Sequence, residues 1–183
     1  MPNAAKPVAL ITGVGPGTGS ALARRFAASG YAVAMLARDT ARLSALEAEL
    51  PASKAYICDV ADEAQVDATI ARVRAEMGHP EGLIHNAVGG GWGTFLDIKP
   101  ELLNRNFQIN TMGLLYLAQR LAPDMIKAGK GFIVTTGNTS ATAHSVRIHG
   151  PRSRSQGCSC RLCADRRRDR CAVDARSFPR QAG

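Results

Sequence analysis

Val8-Ala9-Leu10-Ile11-Thr12-Gly13-Val14-Gly15-Pro16-Gly17-Thr18-Gly19 is the stretch whose reading decides the fold. It opens with four apolar residues, the length and composition of a strand buried on both faces. A glycine-rich turn follows at once. Ser20-Ala21-Leu22-Ala23-Arg24-Arg25-Phe26 then sets Leu22 and Phe26 at helical spacing. The first turn of a helix carries unpaired N–H groups and a partial positive charge, and so attracts phosphate. Side chains on the turn would hold a dinucleotide away from those donors. Gly13, Gly17 and Gly19 remove them and permit positive φ. The residues also read as an ordinary turn, but the position directly after a buried-type strand favours a phosphate cradle.

Working outward, the 183 residues suit one domain and are enough for a real core. No run of 18 apolar residues occurs, so no transmembrane helix is expected. Met1 to Lys6 reads as a short polar lead rather than a signal peptide, which predicts a cytoplasmic location. A net charge of +8, evenly spread, would point to nucleic acid or a membrane surface. It is not evenly spread. Residues 1–146 carry 13 Lys and Arg against 12 Asp and Glu, whereas residues 147–183 carry ten Arg and three Asp. Cysteine divides in the same way: Cys58 is alone in the body, and Cys158, Cys160, Cys163 and Cys171 crowd the tail. The expected organisation is a dinucleotide-binding domain over 7–146 and an Arg/Cys-rich tail over 147–183.

Along the body, Gly30 closes the first helix and Tyr31 to Ala37 reads as a second buried strand. Asp39-Thr40 can cap a helix from Ala41 to Leu50. Ala55 to Cys58 is a short third strand running into Asp59-Val60, with Cys58 a small core residue rather than a reactive thiol. Asp62-Glu63 opens a helix to about Met77, with Val66, Ile70 and Val73 on one face. Gly78-His79-Pro80 stops it. A fourth strand ends in His85-Asn86-Ala87-Val88-Gly89 and runs into Gly90-Gly91-Trp92-Gly93. Pro100 to Phe107 is a short helix, Ile109 to about Ala128 a long one, and Gly131 to Thr136 a fifth strand.

The glycine spacing is Thr-Gly-x-x-x-Gly-x-Gly, which resembles the cofactor loop of short-chain dehydrogenases/reductases. His85-Asn86-Ala87-Val88-Gly89 resembles that family's Asn-Asn-Ala-Gly motif, with His85 for the first Asn and Val88 inserted. Ile109-Asn110-Thr111-Met112-Gly113 resembles its long fourth helix. The resemblance covers about three quarters of the chain. It implies a Rossmann-type α/β fold, a doubly wound parallel sheet in strand order 3-2-1-4-5-6-7 with its C-terminal side incomplete here.

It also implies roles. Thr12, Gly13, Gly17, Thr18 and Gly19 would form the pyrophosphate loop. Ala37 stands where the family's NAD-type acid would be and Arg38 follows, so NADP is expected over NAD, with Asp39 a rival reader of the ribose. Asp59 and Val60 would touch the adenine; Asp59 reads equally well as a simple strand end. Asn86, Ala87 and Gly89 would place the nicotinamide ribose, and Asn86 would tie the central sheet together. Asn110 would bind the water of the proton relay. Strict register puts Asn138 at the family's catalytic Ser, leaving Ser140 as the candidate. Trp92 can wall a substrate pocket or anchor its loop. The substrate would be a small carbonyl or alcohol compound, no metal is expected, and the intact family forms homo-oligomers.

The resemblance breaks where the chemistry is heaviest. The family's Tyr-x-x-x-Lys supplies the proton and lowers the Tyr pKa. This chain has Tyr31, Tyr56 and Tyr116 alone, none with Lys four places on, and no Lys after Lys130. The expected position reads Pro151-Arg152-Ser153-Arg154-Ser155-Gln156-Gly157. A reading-frame shift near residues 144–150 explains the change of composition and would make Pro151 to Gly183 non-native. Reading codons 140–160 in three frames tests it. Two other readings stand: zinc on the tail cysteines, whose Cys-x-Cys spacing is unusual for it, and an Arg-rich arm on nucleic acid. An oxidoreductase lacking its proton donor, an inactive dinucleotide binder and a nucleic-acid binder are thus the three function classes. The tail should hold polyanions non-specifically. Deleting 147–183 is expected to abolish retention on a DNA matrix at moderate salt, a loss read directly from the elution profile.

Overall fold

The computed structural model describes residues 6–137 except 92 and 95, and the side chains of 40–42 are not described. Trp92, Asn138, Ser140 and the tail from 147 lie outside the described residues. The chain runs β1 (Val8–Thr12), α1 (Thr18–Ala28), β2 (Ala32–Ala37), α2 (Thr40–Glu49), β3 (Lys54–Ile57), α3 (Glu63–Met77) and β4 (Pro80–His85). Then come α4 (Pro100–Phe107), a π turn (Gln108–Met112), α5 (Gly113–Ala128) and β5 (Phe132–Thr135).

The five strands form one parallel sheet in the order β3-β2-β1-β4-β5. This is a Rossmann-type doubly wound sheet. The chain builds outward from β1 to β3, then returns to lay β4 on the other side of β1. That reversal opens a crevice at the carboxyl ends of β1 and β4.

Alternation along the strands explains why helices cover both faces. Leu10, Ala34, Leu36 and Leu83 pack with Val66, Ile70 and Val73 of α3 and Leu117 and Leu121 of α5. Their neighbours Ala9, Ile11, Val33, Met35 and Ile84 pack with Ala23 of α1 and Leu43 and Leu46 of α2. Successive strand residues point to opposite faces, so a run such as Val8-Ala9-Leu10-Ile11 feeds two cores at once.

Helix ends follow local chemistry. The Asp62 carboxylate accepts the Gln65 N–H at 3.2 Å and caps α3. Gly129, at φ +63°, ends α5, donating its N–H to the Ile126 carbonyl. Between α4 and α5 the backbone stays right-handed helical, so the π turn is a one-residue bulge within a continuous rod. The expected plain helix from Ile109 thus begins with a bulge that residue periodicity does not signal.

β5 is the outermost strand among the described residues. Ile133 is 42% and Val134 48% exposed, although Phe132-Ile133-Val134 has the composition of a strand covered on both faces. Only its start is well covered: Phe132 stacks on Phe26 at 6.0 Å and fills the space over Gly82.

Leu117 is fully buried between α5 and the sheet, whereas Leu103 on α4 is more than half exposed. Leu117→Ala is expected to cost about 2–5 kcal/mol. Leu103→Ala should stay within about 0.5 kcal/mol. Urea midpoints of the two variants measure the difference.

Candidate functional site

A cleft of about 610 Å³ lies at the carboxyl ends of the strands. Each strand delivers the residues just past its end: Gly13 after β1, Arg38 after β2, Asp59 and Val60 after β3, Asn86 and Ala87 after β4, Thr136 after β5. Gly17, Thr18 and Gly19 at the start of α1 also line it. Nine of the thirteen residues singled out above therefore converge here. Thr12 lies beneath the floor, fully buried. Gly89 and Asn110 are joined to each other beside the cleft, and Ser140 lies outside the described residues.

The glycine loop is shaped by two separate demands. Gly13 has φ +66°, and a Cβ there would sit 2.6 Å from the backbone of Ala87. A Cβ on Gly19 would lie 2.3 Å from the Gly13 carbonyl oxygen. These two glycines let α1 and the β4 turn close on β1. Gly15 and Gly17 differ: a Cβ on either meets open space. Their bareness clears the approach to the N–H groups of α1. Gly15, Gly17, Thr18 and Gly19 line the cleft, and this uncovered start of α1 fits an incoming pyrophosphate.

Below the loop, Thr12 organises the turn after β4. Its Oγ1 accepts the N–H of Asn86 at 3.1 Å and of Ala87 at 3.2 Å. The Asn86 amide donates from Nδ2 to the Gly13 carbonyl at 2.8 Å, and its Oδ1 accepts the Thr136 hydroxyl at 3.0 Å. One side chain thus ties the ends of β1, β4 and β5, the tying role expected for Asn86. Asn110 is exposed on the π turn, where its Oδ1 accepts the Gly89 N–H at 2.8 Å. One turn earlier, Asn106 clasps Gly91, donating to its carbonyl at 2.9 Å and accepting its N–H at 3.3 Å.

Asp59 does more than end a strand. It accepts the Ala61 N–H at 3.1 Å and is ion-paired to Arg105 of α4. Cys58 is buried and its thiol is pushed above its usual value by burial, which suits a core residue. None of the three tyrosines lines the cleft. Tyr56 is buried on the α3 side, donating to Glu76, and burial raises its pKa. Among the described residues, no group of three or more His, Cys, Asp or Glu is placed to hold a metal ion. Nor is any helix there long and apolar enough to cross a membrane.

Four residues escaped the sequence reading: His85, Arg105, Asn106 and Thr136. Each acts through a partner distant in the chain. Only His85 carried a local signal, as the substitution in its motif.

Sheet order and cleft together define a Rossmann-type nucleotide-binding α/β protein. The family model described as "short chain dehydrogenase" matches residues 7–149. Galactitol 2-dehydrogenase of Agrobacterium fabrum is 36% identical over 125 residues, 68% of this chain and 49% of that protein. A 3-ketoacyl-(acyl-carrier-protein) reductase from Brucella melitensis, solved with NADH, superposes with a TM-score of 0.69 at 30% identity, covering 74% of this chain and 58% of that one. A metagenomic short-chain oxidoreductase, solved with NADP, gives 0.66 at 31%, covering 70% and 61%. The chain belongs to the short-chain dehydrogenase/reductase family of NAD(P)-binding oxidoreductases. It spans about half the length of the curated relatives it matches.

Gly13→Ala is expected to destabilise by about 1–3 kcal/mol, because the new methyl meets backbone that cannot swing aside. Chemical denaturation of the variant against the parent chain checks it.

Proposed function

We propose that this chain is the cofactor-binding part of an NADP-preferring short-chain oxidoreductase and that, as it stands, it binds the dinucleotide with little or no turnover. The observation that carries the binding reading is the pair of open glycines, Gly15 and Gly17, on a helix N-terminus facing the cleft. When bound there, the nicotinamide supplies hydride exchange with a carbonyl or alcohol carbon, the reaction class of the family.

The roles assigned to this chain's own residues follow the cleft. Gly13, Gly17, Thr18 and Gly19 form the pyrophosphate cradle over Thr12. Arg38 lies past Ala37 at the end of β2, where a guanidinium suits a 2′-phosphate better than a bare hydroxyl. Asp59, fixed by Arg105, and Val60 face the adenine. Asn86, Ala87 and Gly89 shape the nicotinamide end beside Asn110. Ser140 would complete the polar set.

The proposal of weak turnover rests on the missing acid. A carbonyl reduced by hydride needs a proton at its oxygen, and a tuned side chain must supply it. The described cleft residues include no Tyr and no Lys. An inactive dinucleotide binder is therefore the second reading, and the tail as a nucleic-acid arm is the third. The domain boundary near 146 is part of the same proposal.

Titrating NADPH and NADH while following fluorescence of Trp92, the single tryptophan, tests the reading. NADPH should bind the tighter. Arg38→Ala should narrow that preference by about tenfold, the equivalent of roughly 1.4 kcal/mol for one lost charge-assisted contact. Gly17→Val should weaken both cofactors with little change in stability. Compact protein with no affinity for either cofactor defeats the proposal, and cofactor oxidation at an ordinary enzymic rate defeats its second half.

A further inference from the structure

His85 is 4% exposed and lies where β1, β4 and the π turn meet. Its Nε2 is 3.2 Å from the Ile109 carbonyl oxygen, and its Nδ1 is 3.1 Å from Thr12 Oγ1. The network assigns the protons. A carbonyl oxygen only accepts, so Nε2 must carry a hydrogen. Thr12 Oγ1 already accepts from the Asn86 and Ala87 N–H groups, which occupies both of its lone pairs. What remains to it is its own hydrogen, so it donates to Nδ1, which is bare. The ring is neutral, with its hydrogen on Nε2.

The position of this ring gives it leverage. From His85 the chain runs through Asn86, Ala87 and Val88, which wall the cleft, to Gly89. His85 is bonded to Ile109, and Gly89 to the adjacent residue Asn110. The cleft wall is thus a short span pinned at both ends to consecutive residues of the π turn. A proton added to Nδ1 would put an N–H donor against a hydroxyl with no lone pair left. Either Thr12 releases Asn86 or Ala87, or the ring turns and releases Ile109.

We propose that His85 is a positioning residue: as a neutral imidazole it holds the cleft wall 86–88 and Asn110 in register, and gaining a proton releases them. The consequence for cofactor rests on the reading of the cleft given above; the tautomer and the loop coupling do not. The surroundings agree. β1 presents Thr12, the π turn presents backbone carbonyls, and β5 presents Thr135 in register and the Thr136 N–H on the His85 carbonyl. Burial pushes the imidazole below its usual value, opposed in part by the backbone of Ile109 and Asn110, and no charged side chain contributes. A depressed imidazole costs stability as pH falls below the ordinary histidine value of about 6.5, until the folded-state value is passed.

The full 183-residue chain, labelled with ¹⁵N-histidine, tests this, the His85 signal being assigned by its loss in His85→Asn. The expected spectrum is a neutral ring protonated at Nε2 that resists titration through about pH 6.5. Protection of the Gly89 amide from exchange, corrected for intrinsic rate, should fall about tenfold for each unit by which the folded-state value lies below 6.5. In His85→Asn, which keeps a donor and an acceptor but cannot titrate, the Gly89 effect should vanish; if that variant does not fold, the wild-type tautomer and the Gly89 amide decide. A hydrogen on Nδ1, a ring titrating at its ordinary value, or Gly89 protection that does not fall with pH overturns the proposal. NADPH affinity over the same pH series separates the two readings. Absence of binding at every pH defeats the cofactor assignment and leaves the imidazole result to stand by itself.

Discussion

The tightest approach of backbone to backbone at any described glycine is that of α1 to the end of β1. A methyl group on Gly19 would sit 2.3 Å from the Gly13 carbonyl, inside any tolerable contact. Gly13 meets a second limit, since the turn after β4 presses on it from the other side. These missing side chains allow strand, helix and β4 turn to share one small volume. The α1 N–H groups then face the crevice where the sheet changes direction, and the cleft exists because backbone can come this near to backbone.

Around that contact the polar groups are few and heavily shared. Thr12 accepts two N–H groups and donates to His85. Asn86 bonds to both neighbouring strand ends. Buried polar atoms are costly without partners, so this cluster specifies one arrangement of β1, β4, β5 and the π turn. The outer flank is different. β5 carries a core-type sequence with its middle exposed, and α5 leaves Ile126 79% exposed. The described residues thus combine a closely organised cleft side with an apolar side that they do not themselves cover.

Much of this was legible in the sequence. The five strands and the helices between them fall within a residue or two of their expected bounds, because continuous apolar runs and 3.6-residue periodicity are local signals. Most candidate cofactor residues reach the cleft because each stands at the end of a strand, a position that residue pattern reveals. Arg105 was not legible, since nothing in Pro100 to Phe107 says that it meets Asp59, 46 residues earlier. The π turn was hidden as well: it is a change in hydrogen-bond partner, not in residue type.

The amino-acid order by itself determined the element types and the place of the glycine turn, because strand burial and helix periodicity are written within a few neighbouring residues. It also determined that no tyrosine in the chain has a lysine four places on. Tertiary structure alone decided which glycines serve packing and which clear a path, for that depends on what lies across the gap. It alone decided the proton arrangement of His85, because a ring's tautomer is set by the partners brought to its two nitrogens, and those come from residues 12 and 109.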